Sequence, residues 1–148
     1  MNETEEFLAA TMPRLTEAET AILNGDASQR IAMWSRSEPV TLFGAAATRT
    51  GWAEARRTFE QLASLFSDCT AYEIEIVAAG ASGDLAYLVA LEHATASVNG
   101  VPSEPFTLRA TTVFRREDGE WRIVHRHGDS PESVAGHRLA EQLQASDR

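Results

Sequence analysis

The spacing of apolar positions changes period partway along the chain, and that change separates helices from strands. Phe7, Thr11, Leu15, Ala18 and Ile22 recur at steps of four, four, three and four, which puts them on one face of a helix over residues 3–24. Pro13 lacks a backbone donor inside this run, so it either kinks the helix or opens a second one. Asn24-Gly25 closes the segment. Asp26 and Gln29 form a capping-box-like pair for a short helix with Ile31 and Trp34 on one side, and Pro39 ends it. Residues 40–43 (VTLF) read as a short strand, and residues 44–51 as a loop of small side chains. Trp52, Ala55, Phe59, Leu62 and Phe66 then recur at three, four, three and four, the cleanest amphipathic helix in the sequence.

Beyond that helix the period becomes two. Tyr72, Ile74 and Ile76 alternate with Glu73 and Glu75, a half-buried strand. A turn at residues 81–84 leads to a strand over residues 85–97, with Leu85, Tyr87, Val89, Leu91 and His93 on one face. Asn99-Gly100 is a turn signal, and Pro102 and Pro105 keep the next connection irregular. Residues 106–129, FTLRATTVFRREDGEWRIVHRHGD, read as two strands joined by a tight turn at Asp118-Gly119. Helices followed by antiparallel strands describe an α+β organisation, one domain over residues 1–130. Residues 131–148 form a tail, partly helical through Val134, Leu139 and Leu143 and frayed at its end.

Composition narrows the partners. The 148 residues are 43% hydrophobic and 24% charged, with a formal net charge of −9. Nucleic acids and anionic membranes favour basic surfaces, so neither is expected as a partner. Six acids against the single base Arg14 in the first 26 residues read as a solvated helical face. Cys69 is the only cysteine, so no internal disulfide forms, and a small buried residue is expected there. No apolar run approaches the roughly 18–20 residues of a membrane span, and the acidic start lacks a signal-peptide pattern; a cytoplasmic location is expected.

The order GDASQRIAMWS, VTLFG, a helix opening at Gly51-Trp52, DLAYLVALEH and LRATTVFRREDGEWRIVHRHGD resembles the nuclear transport factor 2-like superfamily. The likeness is to its SnoaL-like branch and to the related calcium/calmodulin-dependent kinase association domains, over roughly residues 5–130. The resemblance implies a cone-shaped α+β barrel, a curved antiparallel sheet wrapped around the N-terminal helices, with a pocket at its open end. It also implies a homodimer through the outer sheet face. The superfamily contains isomerases, dehydratases, cyclases, hydrolases and non-catalytic binding domains, so the fold implies a pocket rather than a reaction.

Strand alternation places Trp121, Ile123, His125 and His127 on one face and Arg122, Val124 and Arg126 on the other, toward solvent or a subunit interface. His125 and His127 are candidates for acid–base chemistry, since imidazole titrates near neutrality. They also have chelating spacing, with His93, Glu92 or Asp129 as a third ligand, but the pattern of a metal site is missing and no metal or cofactor is expected. Asp129 either orients His127 or ends the strand. Periodicity exposes Arg109 and Thr111, whereas the resemblance turns them into the pocket, where Arg109 would hold an anionic group. Tyr87 lies on the face expected to line the cavity, and Trp34 and Trp52 either wall the pocket or belong to the core. Residues 40–43 carry no acid where steroid isomerases of the superfamily carry a catalytic aspartate. The leading reading is a binding protein for a small organic molecule with an anionic or carbonyl group. The alternative is a cofactor-independent isomerase, dehydratase, cyclase or hydrolase in which His127 and His125 transfer protons.

Overall fold

The computed structural model describes residues 1–44, 47–131 and 134–146. Residues 45 and 46 of the expected loop, parts of the tail and the Val134 side chain lie outside the described residues. Helix α1 (Glu3–Ile22) starts at Asn2, whose side-chain oxygen accepts from the Glu5 N–H at 2.8 Å. Glu3, Glu5 and Glu6 add favourable charge in its first turn. Its buried stripe contains the five residues that the spacing predicts, and Glu19 as well. Pro13 lies inside one continuous helix rather than between two. Helix α2 (Ser28–Met33) has Ala27 at its N-cap without a side-chain bond, so the expected pairing of Asp26 with Gln29 does not form. Asp26 instead accepts from the Ser28 N–H at 2.9 Å.

Strands β1 (Thr41–Phe43) and β2 (Thr48–Thr50) precede helix α3 (Trp52–Leu65). Then come β3 (Phe66–Ser82), β4 (Leu85–Val98), β5 (Val101–Pro102), β6 (Phe106–Glu117) and β7 (Glu120–Asp129), followed by helix α4 (Val134–Ser146). The sheet order is β2-β1-β7-β6-β4-β3, with β5 beside β4; β1 runs parallel to β7 and the other pairings are antiparallel. Asp118 and Gly119 both adopt left-handed φ angles, 49° and 79°, in the β6–β7 turn, as an Asp-Gly hairpin turn requires.

The helices pack into the concave face of the sheet. Phe7 meets Phe114 and Trp121 edge-on, with ring centroids 4.9 and 5.2 Å apart. Trp34 is fully buried and lies 4.9 Å from Phe59, so it belongs to the core. Burying one such side chain contributes about 1.5–3 kcal/mol.

Two facings differ from the alternation read in sequence. In β4 the face toward the helices carries Ala86, Leu88, Ala90, Glu92, Ala94 and Ala96, and Tyr87 is 46% exposed on the outer face. Small alanines let the helices approach closely, and the bulkier apolar row is left outside. In β7, Val113 pairs with His125 and Phe114 with Ile123, so Val124 is an extra residue, a β-bulge. Side chains alternate, so one extra residue reverses every facing beyond it. Trp121 and Ile123 point inward, but so do Arg126 and Gly128, and His125 and His127 turn outward. Arg109 also faces outward, as periodicity expects and the resemblance does not.

Candidate functional site

Between α1, α2 and the inner face of the sheet lies a cavity of about 290 Å³. Leu42, Leu62, Phe66, Ala94, Phe106 and Leu108 supply apolar wall. Its polar lining comes from six residues on separate elements: Glu19 of α1, Arg30 of α2, Thr58 of α3, Tyr72 of β3, Glu92 of β4 and Arg126 of β7. Glu19 and Arg30 form one ion pair between the two helices. Arg126 donates to both oxygens of Glu92, at 2.7 and 2.9 Å, in a second pair that is almost completely buried. The β6 strand separates β4 from β7, so this pair reaches across it along the inner face.

Each buried charge is held by its opposite. Burial works against the Glu92 carboxylate, but Arg126, by charge and hydrogen bond, keeps its pKa below the usual range. Burial likewise weakens protonation of Arg126, and the charges of Glu92 and Glu19 more than reverse this. Burial, followed by the charges of Glu19 and Glu92, raises the Tyr72 phenol far above its ordinary pKa, so it stays protonated. The Tyr72 hydroxyl has no hydrogen-bond partner of ordinary geometry, although it lies near enough to Glu92 to favour the carboxylate. Arg30 Nε is also buried without a partner. The arrangement can hold a polar group of a guest molecule while apolar walls enclose the rest.

Of the residues singled out from sequence only Glu92, weighed there as a metal ligand, lines this cavity. Arg109, Thr111, His127 and Asp129 instead share a groove on the outer sheet face with Val77, Val89 and Leu91. Arg109 donates to both oxygens of Asp129 at 2.8 Å, which holds that carboxyl below its usual range. The His125 Nδ1 lies 2.7 Å from the Thr41 hydroxyl, and Phe43 packs edge-on to both His125 and His127. Burial, with the charge of His127, lowers the His125 pKa. Tyr87 lies elsewhere on the outer face, closing over Gly80. Trp52 is half-buried against Phe59 and beneath the Arg36 guanidinium, 4.8 Å from its ring centroid. Cys69 is only partly buried. Among the described residues no three His, Cys, Asp or Glu side chains are grouped to hold a metal.

The interior residues had partial signals. Glu19 follows Leu15 by four and precedes Ile22 by three, which places a carboxylate within the apolar stripe of α1. Glu92 interrupts the row Leu88, Ala90, Ala94 on one face of β4. Arg126 carried none, because the bulge reverses its facing.

A profile of the SnoaL-like domain matches residues 13–131. The chain belongs to the SnoaL-like domain family. Among curated proteins none matches the sequence. Solved structures of the nuclear transport factor 2-like fold superpose on this SnoaL-like domain. A ketosteroid isomerase-like protein from Erwinia carotovora atroseptica SCRI1043 is 22% identical over 90% of this chain and 100% of its own, with a TM-score of 0.69. A proposed dehydratase of the same superfamily from Streptomyces avermitilis is 17% identical over 85% and 96%, with a TM-score of 0.67. A proposed calcium/calmodulin-dependent protein kinase type II association domain from Thiobacillus denitrificans ATCC 25259 is 18% identical over 82% and 90%, with a TM-score of 0.57. At these identities the likeness shows the fold, including the α+β cone.

Proposed function

We propose that this SnoaL-like domain binds a small, uncharged and largely apolar organic molecule in its interior cavity. The observation that carries the reading is the pairing of all four charged side chains in the lining, Glu19 with Arg30 and Glu92 with Arg126. Two positive and two negative groups leave no net charge to attract an anion, while the remaining wall is apolar. The anionic ligand expected through Arg109 loses its basis, because that guanidinium lies outside and is bound to Asp129. A carbonyl or hydroxyl group remains compatible. The likeness to a ketosteroid isomerase-like protein and a proposed dehydratase agrees with a small organic ligand. The test is a thermal-shift screen with Ala94→Leu, which places a larger side chain in the cavity. Neutral apolar compounds should raise the melting temperature of the parent and not of the variant. Equal shifts in both proteins, or shifts from small carboxylates alone, would refute the reading.

A second reading, cofactor-independent proton transfer, is favoured by the protonated Tyr72 phenol beside two carboxylates. Its acid and base would be interior groups rather than His127 and His125. Turnover that disappears in Glu19→Gln while binding persists would support it; turnover that depends on His127 would return the chemistry to the outer groove.

We also propose that the outer sheet face seats a second copy of the chain. Val77, Leu85 and Tyr87 are 60%, 58% and 46% exposed there. The Arg109 guanidinium on that face is neutralised by Asp129, so two identical faces can meet without repulsion between those arginines.

A further inference from the structure

We infer that the polar group recognised in the interior cavity is a hydroxyl, which donates to Glu19 and accepts from Arg30. The inference deepens the binding reading above and rests on it. Hydrogen-bonding capacity, rather than net charge, is the discriminating quantity inside this cavity. Arg126 engages both oxygens of Glu92, so that pair is saturated with respect to each other. The helix pair is not. Arg30 reaches Glu19 through Nη2, and the bond falls on Oε2 alone. Arg30 Nε, on the same edge of the guanidinium, is buried with no partner. Among the described residues no hydrogen bond falls on Glu19 Oε1.

Glu19 and Arg30 are 3% and 7% exposed, and both line the cavity. Arg30 Nε and Glu19 Oε1 thus lack chain partners on side chains that line the apolar space, as does the Tyr72 hydroxyl in the same lining; Nε is closed to solvent, so a guest reaches it only with a small shift of the Arg30 side chain. A buried donor without a partner is unfavourable, so a guest that supplies an acceptor to Arg30 is favoured. An ether or ketone supplies an acceptor but nothing to Glu19. A carboxylate supplies acceptors and brings a negative charge against Glu19 and Glu92. A hydroxyl meets both requirements with a single oxygen, its proton directed at Oε1 and a lone pair at Nε. The ligand class is therefore an alcohol or phenol whose carbon skeleton fills the apolar wall.

Four probes of one shape separate the possibilities: para-ethylphenol, para-ethylanisole, ethylbenzene and para-ethylbenzoate, with affinities measured by calorimetry or ligand-observed NMR. The phenol should bind about tenfold or more tighter than the anisole and ethylbenzene, as expected for a buried hydrogen bond to a charged group. In Glu19→Gln that preference, read as the ratio of phenol to ethylbenzene affinity within the variant, should fall several-fold. The ethylbenzene measurement shows that the cavity has survived the substitution, so loss of folding cannot imitate the result. Equal binding of phenol, anisole and ethylbenzene, abolished by Ala94→Leu, would overturn the hydroxyl assignment and leave the cavity reading standing. An undiminished phenol preference in Glu19→Gln would also overturn the assignment. Failure of all four probes to bind at millimolar concentration would overturn both.

Discussion

Replacing Arg126 by Met leaves Glu92 without its ion-pair partner in the interior. Removing one partner of a buried pair costs about 3–5 kcal/mol, so Arg126→Met should lower the urea midpoint accordingly, while Glu92→Met with Arg126→Met recovers much of the loss. A single variant as stable as the parent would contradict the energetic role given to the pair. The same residues set an acid response. The folded pKa of Glu92 lies below its unfolded value, so its contribution is full above roughly pH 4.3 and is lost as pH falls through the folded value. In Arg126→Met burial is opposed only by the charge of Arg30 and the Tyr72 hydroxyl, so that pKa rises, and the stabilisation that Glu92 contributes as pH rises should shrink or reverse sign. Urea titrations at several pH values distinguish the two slopes. His125 follows its own rule: its folded pKa is lowered, chiefly by burial, so its contribution is full above about pH 6.5 and declines as pH falls. His125→Gln should flatten the melting temperature between about pH 5 and 7, relative to the parent. A slope identical to the parent's would assign that dependence to another group. Glu19 and Glu92 could be found in the sequence as acids on apolar faces. Their partners could not, since pairing across α2 and across the sheet depends on tertiary placement.

At the level of elements, periodicity located α3, the β6–β7 hairpin and its left-handed turn, because those signals are local. It failed where a strand departs from regular pairing. Nothing in TTVFRREDGEWRIVHRHGD distinguishes Val124 as the residue without an opposite partner; the bulge arises from the sheet that β6 and β7 join. Every facing assigned beyond it was therefore reversed, which moved Arg126 inside and both histidines out. The β4 assignment failed for a different reason: the more apolar face, Tyr87 included, is the outer one, because alanines suit the tight helix contact. Deleting Val124 should either unpair the end of β7 from β1 or turn Arg126 away from Glu92. The expected loss is comparable to that of Arg126→Met, about 3–5 kcal/mol, with faster amide exchange over β1 and the last turn of β7's ladder. A deletion variant with the parent's urea midpoint and exchange pattern would show that the bulge does not set these facings.

For the molecule as a whole, the two proposals, binding in the interior and association through the exterior, should be separable by mutation. Light scattering at micromolar concentration should give the mass of a dimer, and Leu91→Asp on the outer face should give a monomer. The monomer should keep the cavity's affinity for para-ethylphenol. A parent protein that stays monomeric refutes the association, and a variant that loses both properties shows that the cavity depends on the second copy. No helix among the described residues is long and apolar enough to cross a membrane.

The pair between Arg126 and Glu92 has one further consequence. Adjacent strands lie about 4.7–4.9 Å apart, so β4 and β7 are separated by roughly twice that distance along the sheet. A tie joining two points on a concave surface is a chord, and the length of a chord fixes the depth of its arc. Glu92→Asp would shorten that chord by one methylene and draw the arc tighter around the cavity. The calibre of the cavity is thus adjustable through one polar side chain of its own lining, much as a bow is tuned at the string rather than the limbs.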